Sequence, residues 1–185
     1  MSEKNPWKKV SSKIVYQNPW IRVREDEVIR PDGLPGIYSV VETRIATGVI
    51  ALTEKDEVYL VGQFRYALDE YSWEIIEGGS DPDEDPLQTA MRELKEEAGL
   101  IAKSWEALGG EIQLTNCHSS EIGRLFLARD LEQTEAQPDG TEVLRIRKVP
   151  FEQCLEMADR GIFKDAMSII ALYRLQALRQ GRQLG

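Results

Sequence analysis

Apolar positions change period along this chain, and the changes mark its elements. In residues 13–44 two extended runs, "IVYQNPWIRVRED" and "IYSVVE", flank the Pro/Gly/Asp turn "RPDGLPG". They predict a small antiparallel sheet, too small to bury a core alone. "TGVIALT" and "EVYLVGQF" follow around "EKDE", the pattern of a hairpin, and "YSWEII" is a further strand leading into Gly78 and Gly79. Beyond residue 100, "IGRLFLA" and "EVLRIRKVP" read as strands. The chain closes on two helical stretches, "FEQCLEMADR" and "KDAMSIIALYRLQALRQ". In the second, Ala166, Ile169, Ile170 and Tyr173 recur at helical spacing and mark the expected buried stripe. Strands joined by short turns and flanked by helices predict a mixed α/β sandwich.

The remaining segment, "GGSDPDEDPLQTAMRELKEEAGL" (residues 78–100), predicts one helix with both ends signalled. Asp85 is an N-cap residue, Pro86 suits the first helical position, and Gln88 is placed to reach back as in a capping box. Leu87, Ala90, Met91, Leu94 and Ala98 form an apolar stripe, and Gly99 is a C-cap residue. The opposite face carries Glu93, Glu96 and Glu97. Arg92 is spaced to pair with Glu96, whereas the sequence sets no cation at that spacing from Glu93 or Glu97. A like-charge pair on an exposed helix costs only about 0.2–0.5 kcal/mol, so a solvated acidic face is one reading. The other is a site for a hard divalent cation, since clustered carboxylate oxygens suit Mg²⁺ or Mn²⁺.

Composition narrows the field. A chain of 185 residues fits one domain with a full core and a small appended subdomain. With 42% hydrophobic and 30% charged residues it is globular rather than disordered. Its formal net charge of −9 repels phosphate backbones, so nucleic acid is not an expected partner. Cys117 and Cys154 are too few and too far apart for a zinc site or a disulfide framework; they predict packing roles and a reducing, cytoplasmic setting. "MSEKNPWKKVSSK" lacks the apolar core of a secretory signal, and no apolar run approaches the ~18 residues of a membrane span. No membrane association is expected.

Written out, residues 78–100 are Gly78, five residues, Glu84, seven residues, Arg92-Glu93-Leu94, one residue, Glu96-Glu97, one residue, Gly99-Leu100. At every fixed position this resembles the signature of the Nudix hydrolases. Seven fixed and two aliphatic positions coincide by chance on the order of 10⁻⁸ per starting residue. The resemblance runs from about Trp20 to Met167. It implies an α/β/α sandwich with a mixed sheet over residues 46–185, preceded by an antiparallel β subdomain at 1–45. It also implies hydrolysis of a nucleoside diphosphate linked to another group. Glu93 and Glu97 would ligate the metals, Glu96 would ligate directly or through water, and the backbone carbonyl of Glu77 would add a ligand. Arg92 would hold the glutamates in place, and Glu84 would support the loop. The chemistry accords with the composition. An acidic protein handling an anionic diphosphate needs divalent ions, Mg²⁺ or alternatively Mn²⁺, to neutralise the substrate and activate a water.

Outside the box the chain is similar to the ADP-ribose and ADP-sugar pyrophosphatases. In "QFRYALDEYSWEIIEGG", Arg65 stands where that group places an arginine on the substrate diphosphate; a surface arginine at a strand end is the alternative. The group swaps its N-terminal subdomain across a homodimer and sandwiches the base between two aromatics. "NPWIRV" puts Trp20 at the first stacking position and "GIYSVV" puts Tyr38 at the second, although strand aromatics also serve as core. "QPDGTEVLRIRKVP" resembles the loop that carries a further acidic metal ligand or general base, and Glu142 is the matching position. Gly140 stands where the group often has a second acid, so base and ligand both stay open for Glu142. "TNCHSSEIG" departs from the Ser-Pro-Gly loop of the best-known ADP-ribose enzymes, which favours a broader nucleoside diphosphate sugar substrate. His118, in that loop, reads as a polar loop residue or as a substrate contact. The expected reaction is Mg²⁺-dependent cleavage of ADP-ribose or related nucleoside diphosphate sugars to a nucleoside monophosphate and a sugar phosphate. GDP-mannose or another sugar nucleotide is the alternative substrate. A non-catalytic nucleotide-sugar sensor is the alternative class, and the complete box stands against it.

Overall fold

Strand-forming residues dominate the first forty positions, and they pair as a three-stranded antiparallel sheet. The structure, a computed structural model, describes residues 4–136 and 143–184. Strands β1 (Lys8–Gln17), β2 (Arg22–Ile29) and β3 (Pro35–Glu42) lie in the order β1-β2-β3. Asn18 breaks the run between β1 and β2: its side-chain oxygen accepts the N–H groups of Trp20 (2.9 Å) and Ile21 (2.8 Å), a turn typical of Asn. This first unit extends to Arg44 and includes Gln113–Ile122. Within it, the Val41 N–H donates to the His118 carbonyl (2.8 Å) and the Ser120 N–H to the Val41 carbonyl (3.0 Å). Asp26 and Val28 are the only fully buried residues of its three strands, so the sheet lacks a core of its own.

The second unit holds Ile45–Ile112 and the chain from Gly123 onward. Its elements are β4 (Ala46–Ala51), β5 (Glu57–Arg65), β6 (Glu70–Glu74), β7 (Ile76–Gly79), α1 (Pro86–Ala98), β8 (Leu100–Ala107), β9 (Ile112–Gln113), β10 (Ile122–Gln133), β11 (Arg145–Pro150), α2 (Phe151–Asp159) and α3 (Ala166–Arg179), with the unit boundaries falling inside β9 and β10, at Gln113 and Ile122. One sheet runs β7-β4-β10-β8, with β9 beside β10. It is mixed: β4 is parallel to β10 and antiparallel to β7, and β8 is antiparallel to β10. A second, antiparallel sheet runs β11-β5-β6. Val49, Ala51 and Ile76 pack with Ala90, Leu94 and Ala98 of α1. Gly48 points the other way, because side chains alternate along a strand. A Cβ there would lie 2.8–2.9 Å from Leu125, Ile75 and Met167, so α3 is drawn against the opposite face. Helices on both faces of a mixed sheet make the α/β/α sandwich expected from the sequence. No helix among the described residues is long and apolar enough to cross a membrane.

Several local expectations are corrected. The turn around "EKDE" joins β4 and β5 through a single bridge, Leu52–Val58, and the two strands enter different sheets. Five of the six β4 residues are buried and both its edges are taken by β7 and β10, which leaves no edge for β5. "YSWEII" is two strands, since the chain changes sheets at Ile75. β8, which the sequence reading did not single out, is an edge strand with five of its eight residues exposed. In α3 the buried side chains are Met167, Ser168, Ala171, Leu172 and Leu175, while Ala166 and Tyr173 are exposed. Apolar residues lie on most sides of that helix, so the period gave its spacing without its phase. Finally, Gln88 donates to Met91 Sδ rather than reaching back; Asp85 alone caps α1, accepting the Leu87 N–H at 2.9 Å.

Candidate active site

β7 runs antiparallel along β4 and delivers Glu77, Gly78 and Gly79 to the loop that enters α1. That loop is held by its own polar side chains. The Asp81 N–H donates to Glu84 Oε2 (2.9 Å), and the Thr89 hydroxyl lies 2.8 Å from Ser80 Oγ and 2.9 Å from Glu84 Oε2. Arg92 is the hub. Its Nε donates to Glu84 Oε1 (3.1 Å), and its Nη2 to Glu84 Oε2 (3.0 Å) and the Gly79 carbonyl (3.1 Å). Its Nη1 donates to Glu93 Oε1 (2.7 Å) and Glu96 Oε2 (3.1 Å). Arg92 thus serves Glu93 as well as Glu96, which corrects the sequence reading. In turn, the guanidinium holds the Glu84 carboxyl down to about 2, helped by the Asp81 N–H and the Thr89 hydroxyl.

The three box glutamates occupy unlike environments. Glu93 lies against the backbone of β7: a Cβ on Gly78 would stand 1.9 Å from Glu93 Cδ and 2.0 Å from its Oε1. Glycine is required at 78 by this close approach rather than by its φ. Glu97 is 4% exposed, and its Oε2 accepts the Glu77 N–H at 3.2 Å. It therefore lies beneath β7 and not on a solvated face as the helical period suggested. Glu96 is the most open, with its side chain 40% exposed.

Among the described residues no group of three or more acidic, histidine or cysteine side chains is arranged to hold a metal ion by itself. Glu93 and Glu96 turn toward Arg92, and Glu97 toward the Glu77 N–H. The donor set nevertheless fits a hard divalent cation of the Mg²⁺ kind. Such ions are held by one or two carboxylates together with water and substrate phosphates, not by all-protein cages.

The Glu77 side chain belongs to a second acidic group that sequence reasoning missed. Burial, then the neighbouring Asp165 and Glu74 carboxyls, push its carboxyl well above the usual range, with Arg65 acting in the opposite sense. Arg65 Nε donates to both oxygens of the buried Glu74 at 3.0 Å, and its Nη2 also bonds Glu74 and sits 4.0 Å from Glu77 Oε2. Burial opposes the charge on Arg65, but Glu74 more than offsets it and raises the guanidinium pKa. Ser168 and Asp165, at the start of α3, complete the group. No motif in the sequence marks these positions; in the structure Asp165 caps α3.

Glu77, Arg92, Glu93, Glu96 and Glu97 are thus brought together in the second unit, with Arg65 next to Glu77. Trp20 and Tyr38 belong to the first unit. Trp20 is 70% exposed. Tyr38 is half-buried, edge-on to Trp7 with ring centroids 5.3 Å apart, and its hydroxyl donates to the Cys117 carbonyl (2.5 Å). Trp7 is an aromatic that the sequence did not single out. The exposed Cys117 Sγ lies 3.0 Å from His118 Nδ1. Cys154 is buried, and burial pushes its thiol up to about 12, which makes it inert packing. Glu142 and Gly140 lie outside the described residues.

Known proteins resemble this chain in sequence and in fold. Residues 7–41 match the nucleoside diphosphate sugar hydrolase N-terminal domain, and residues 42–167 match the NUDIX domain. The chain is 28% identical over 171 residues to the ADP-ribose pyrophosphatase of Bacillus subtilis, covering 91% of this chain and 92% of that one. It is 27% identical, with the same coverage, to the methanol dehydrogenase activator of Bacillus methanolicus. Its fold superposes on the crystal structure of an ADP compounds hydrolase with a TM-score of 0.84 at 21% identity, covering 99% of this chain and 100% of that one. With the box folded as strand, loop and helix and the family match extending over most of the chain, this protein belongs to the Nudix hydrolases.

Proposed function

We propose that this Nudix hydrolase is a Mg²⁺-dependent pyrophosphatase of ADP-ribose or related nucleoside diphosphate sugars, releasing a nucleoside monophosphate and a sugar phosphate. The observation that carries the reading is the seating of Glu93 against Gly78 and of Glu97 on the Glu77 N–H. It gathers hard oxygens where a diphosphate-bound cation needs them. The substrate class is supported by the N-terminal match at residues 7–41 and by the activity of the Bacillus subtilis relative. Nudix hydrolases generally use divalent metals. When bound here, Mg²⁺ (or Mn²⁺) supplies neutralisation of the diphosphate and acidification of the attacking water.

The chain's own residues position these parts. Glu93 and Glu97 hold the cations, Glu96 holds them directly or through water, and the Glu77 carbonyl adds a ligand. Arg92, anchored by Glu84 and the Gly79 carbonyl, keeps Glu93 and Glu96 from drifting apart. Arg65, fixed on Glu74, presents its remaining donors to the diphosphate. Glu142 acts as a base or a further ligand. Trp20 and Tyr38 stack on the base, a role supported by the exposure of Trp20. We place the protein in the cytoplasm as a homodimer with exchanged N-terminal sheets. Every residue of β1 is exposed, among them Val10, Ile14, Val15 and Tyr16, and an open apolar strand of this kind favours covering by a second copy.

A panel of ADP-ribose, other ADP-sugars and GDP-mannose tests the reading with Mg²⁺ present and in isotopically labelled water. The expected result is monophosphate release from ADP-ribose or a close relative, with the label on a phosphate product. No hydrolysis of any panel member, or label on the sugar hydroxyl, refutes it.

A further inference from the structure

Where the chain changes sheets, one backbone group is left without a ladder partner. Glu74 ends β6 opposite Val61, and Ile76 opens β7 opposite Val49. Ile75 lies between the two ladders and is 1% exposed, so neither a strand nor water takes its N–H. Ser168 does: its Oγ accepts the Ile75 N–H at 2.9 Å. The same hydroxyl donates to Glu77 Oε1 at 3.4 Å. Ser168 is fully buried and is itself anchored, because its N–H donates to the α3 cap Asp165 at 2.6 Å. One side chain thus holds both ends of the Ile75–Glu77 step. The next contacts lead into the cation site. The Glu77 N–H orients Glu97, and Gly78 receives Glu93.

We propose that Ser168 is a positioning residue of the cation site, fixing the sheet switch so that the Glu77 N–H and the Gly78 backbone seat the carboxylates of Glu97 and Glu93. The inference rests on the metal-dependent reading given above. Ser168 acts only through Ile75 and Glu77. A hydroxyl accepts from an N–H and donates to a carboxylate at the same time. Alanine does neither, and cysteine offers only a weak acceptor and a weak donor.

The test compares the parent with Ser168→Ala, Ser168→Thr and Ser168→Cys. Mn²⁺ binding is read from the electron paramagnetic resonance of the free ion, with melting temperature and steady-state kinetics alongside. Partners that orient metal ligands from behind typically change affinity by about 10- to 100-fold. Ser168→Ala is therefore expected to raise the Mn²⁺ Kd about tenfold and to lower kcat, while substrate KM stays within roughly twofold. Ser168→Thr, which keeps the hydroxyl, is expected to recover most of the affinity. Should Ser168→Ala fail to fold, Ser168→Cys carries the same expectation at nearly native volume. An unchanged Mn²⁺ Kd in a folded Ala or Cys variant, even with a lower melting temperature, overturns the proposal, as does a Thr variant no better than Ala. A parent that binds no Mn²⁺ instead overturns the metal-dependent reading itself.

Discussion

Replacing Gly78 by alanine separates seating of the Glu93 carboxylate from stability of the fold. The added Cβ would stand 1.9 Å from Glu93 Cδ, 2.0 Å from Oε1 and 2.3 Å from Cγ. Ordinary carbon contact begins near 3.5 Å, so the carboxylate must retreat by about 1.5 Å. A misplacement of about 1 Å at a reacting centre can cost about 100-fold in rate, and that is the expected loss in kcat for Gly78→Ala. The fold should tolerate the change. Gly78 does not adopt a positive φ, so alanine meets no backbone strain, and Gly→Ala at a compatible site stabilises by about 0.4–1 kcal/mol through the unfolded chain. That gain opposes the cost of moving a side chain that is only 13% exposed. Kinetics on ADP-ribose with saturating Mg²⁺, a melting curve without metal and a Mn²⁺ titration would be run on the same preparation. Activity within roughly threefold of the parent would show that Glu93 works equally well away from the β7 backbone, and would refute the seating assigned to Gly78.

Further outcomes follow from the same geometry. Glu97→Gln keeps the shape of a buried side chain but removes its charge; kcat should fall by about 100-fold or more while the chain stays folded, and activity within a few-fold of the parent would remove Glu97 from the ligand set. Glu84 has its folded pKa lowered to about 2 from 4.5, so its stabilisation is present above pH 4.5 and is lost as pH falls toward 2. With its side chain 19% exposed, screening reduces that contribution to on the order of 1 kcal/mol. Glu84→Gln should therefore lower the melting temperature at pH 7 but converge with the parent near pH 2; parallel curves throughout that window would refute the assignment. Trp20→Ala and Tyr38→Ala, each expected to weaken binding by about 1–3 kcal/mol, should complement when co-refolded in equal amounts. If each site takes one aromatic from each chain, a heterodimer carries both lesions in one site and none in the other, and roughly a quarter of the sites recover parental KM. A mixture showing only the two mutant KM values would sink the shared site.

Local chemistry made much of this protein legible. The start and stop of α1 depend on bonds spanning a few residues, so Asp85, Pro86 and Gly99 could be read directly, and the Asp85 cap and the turn at Gly99 are formed as read. Helical spacing likewise made Arg92 and Glu96 legible as neighbours, while the family was read from the resemblance of the whole segment, Gly78 to Leu100, to a known signature. Tertiary packing decided what the period does not encode. Glu97 is buried because β7 lies over it, and Gly78 is needed because Glu93 approaches it from α1, fifteen positions away in the chain. β4 and β5 part company because β4 finds both its partners elsewhere. The Ile75 N–H finds its acceptor on Ser168, 93 positions later. A hydrophobic pattern reports which residues of one element face inward. It carries no record of which distant backbone group will lack a partner at a sheet switch, and only the folded chain brings a hydroxyl there.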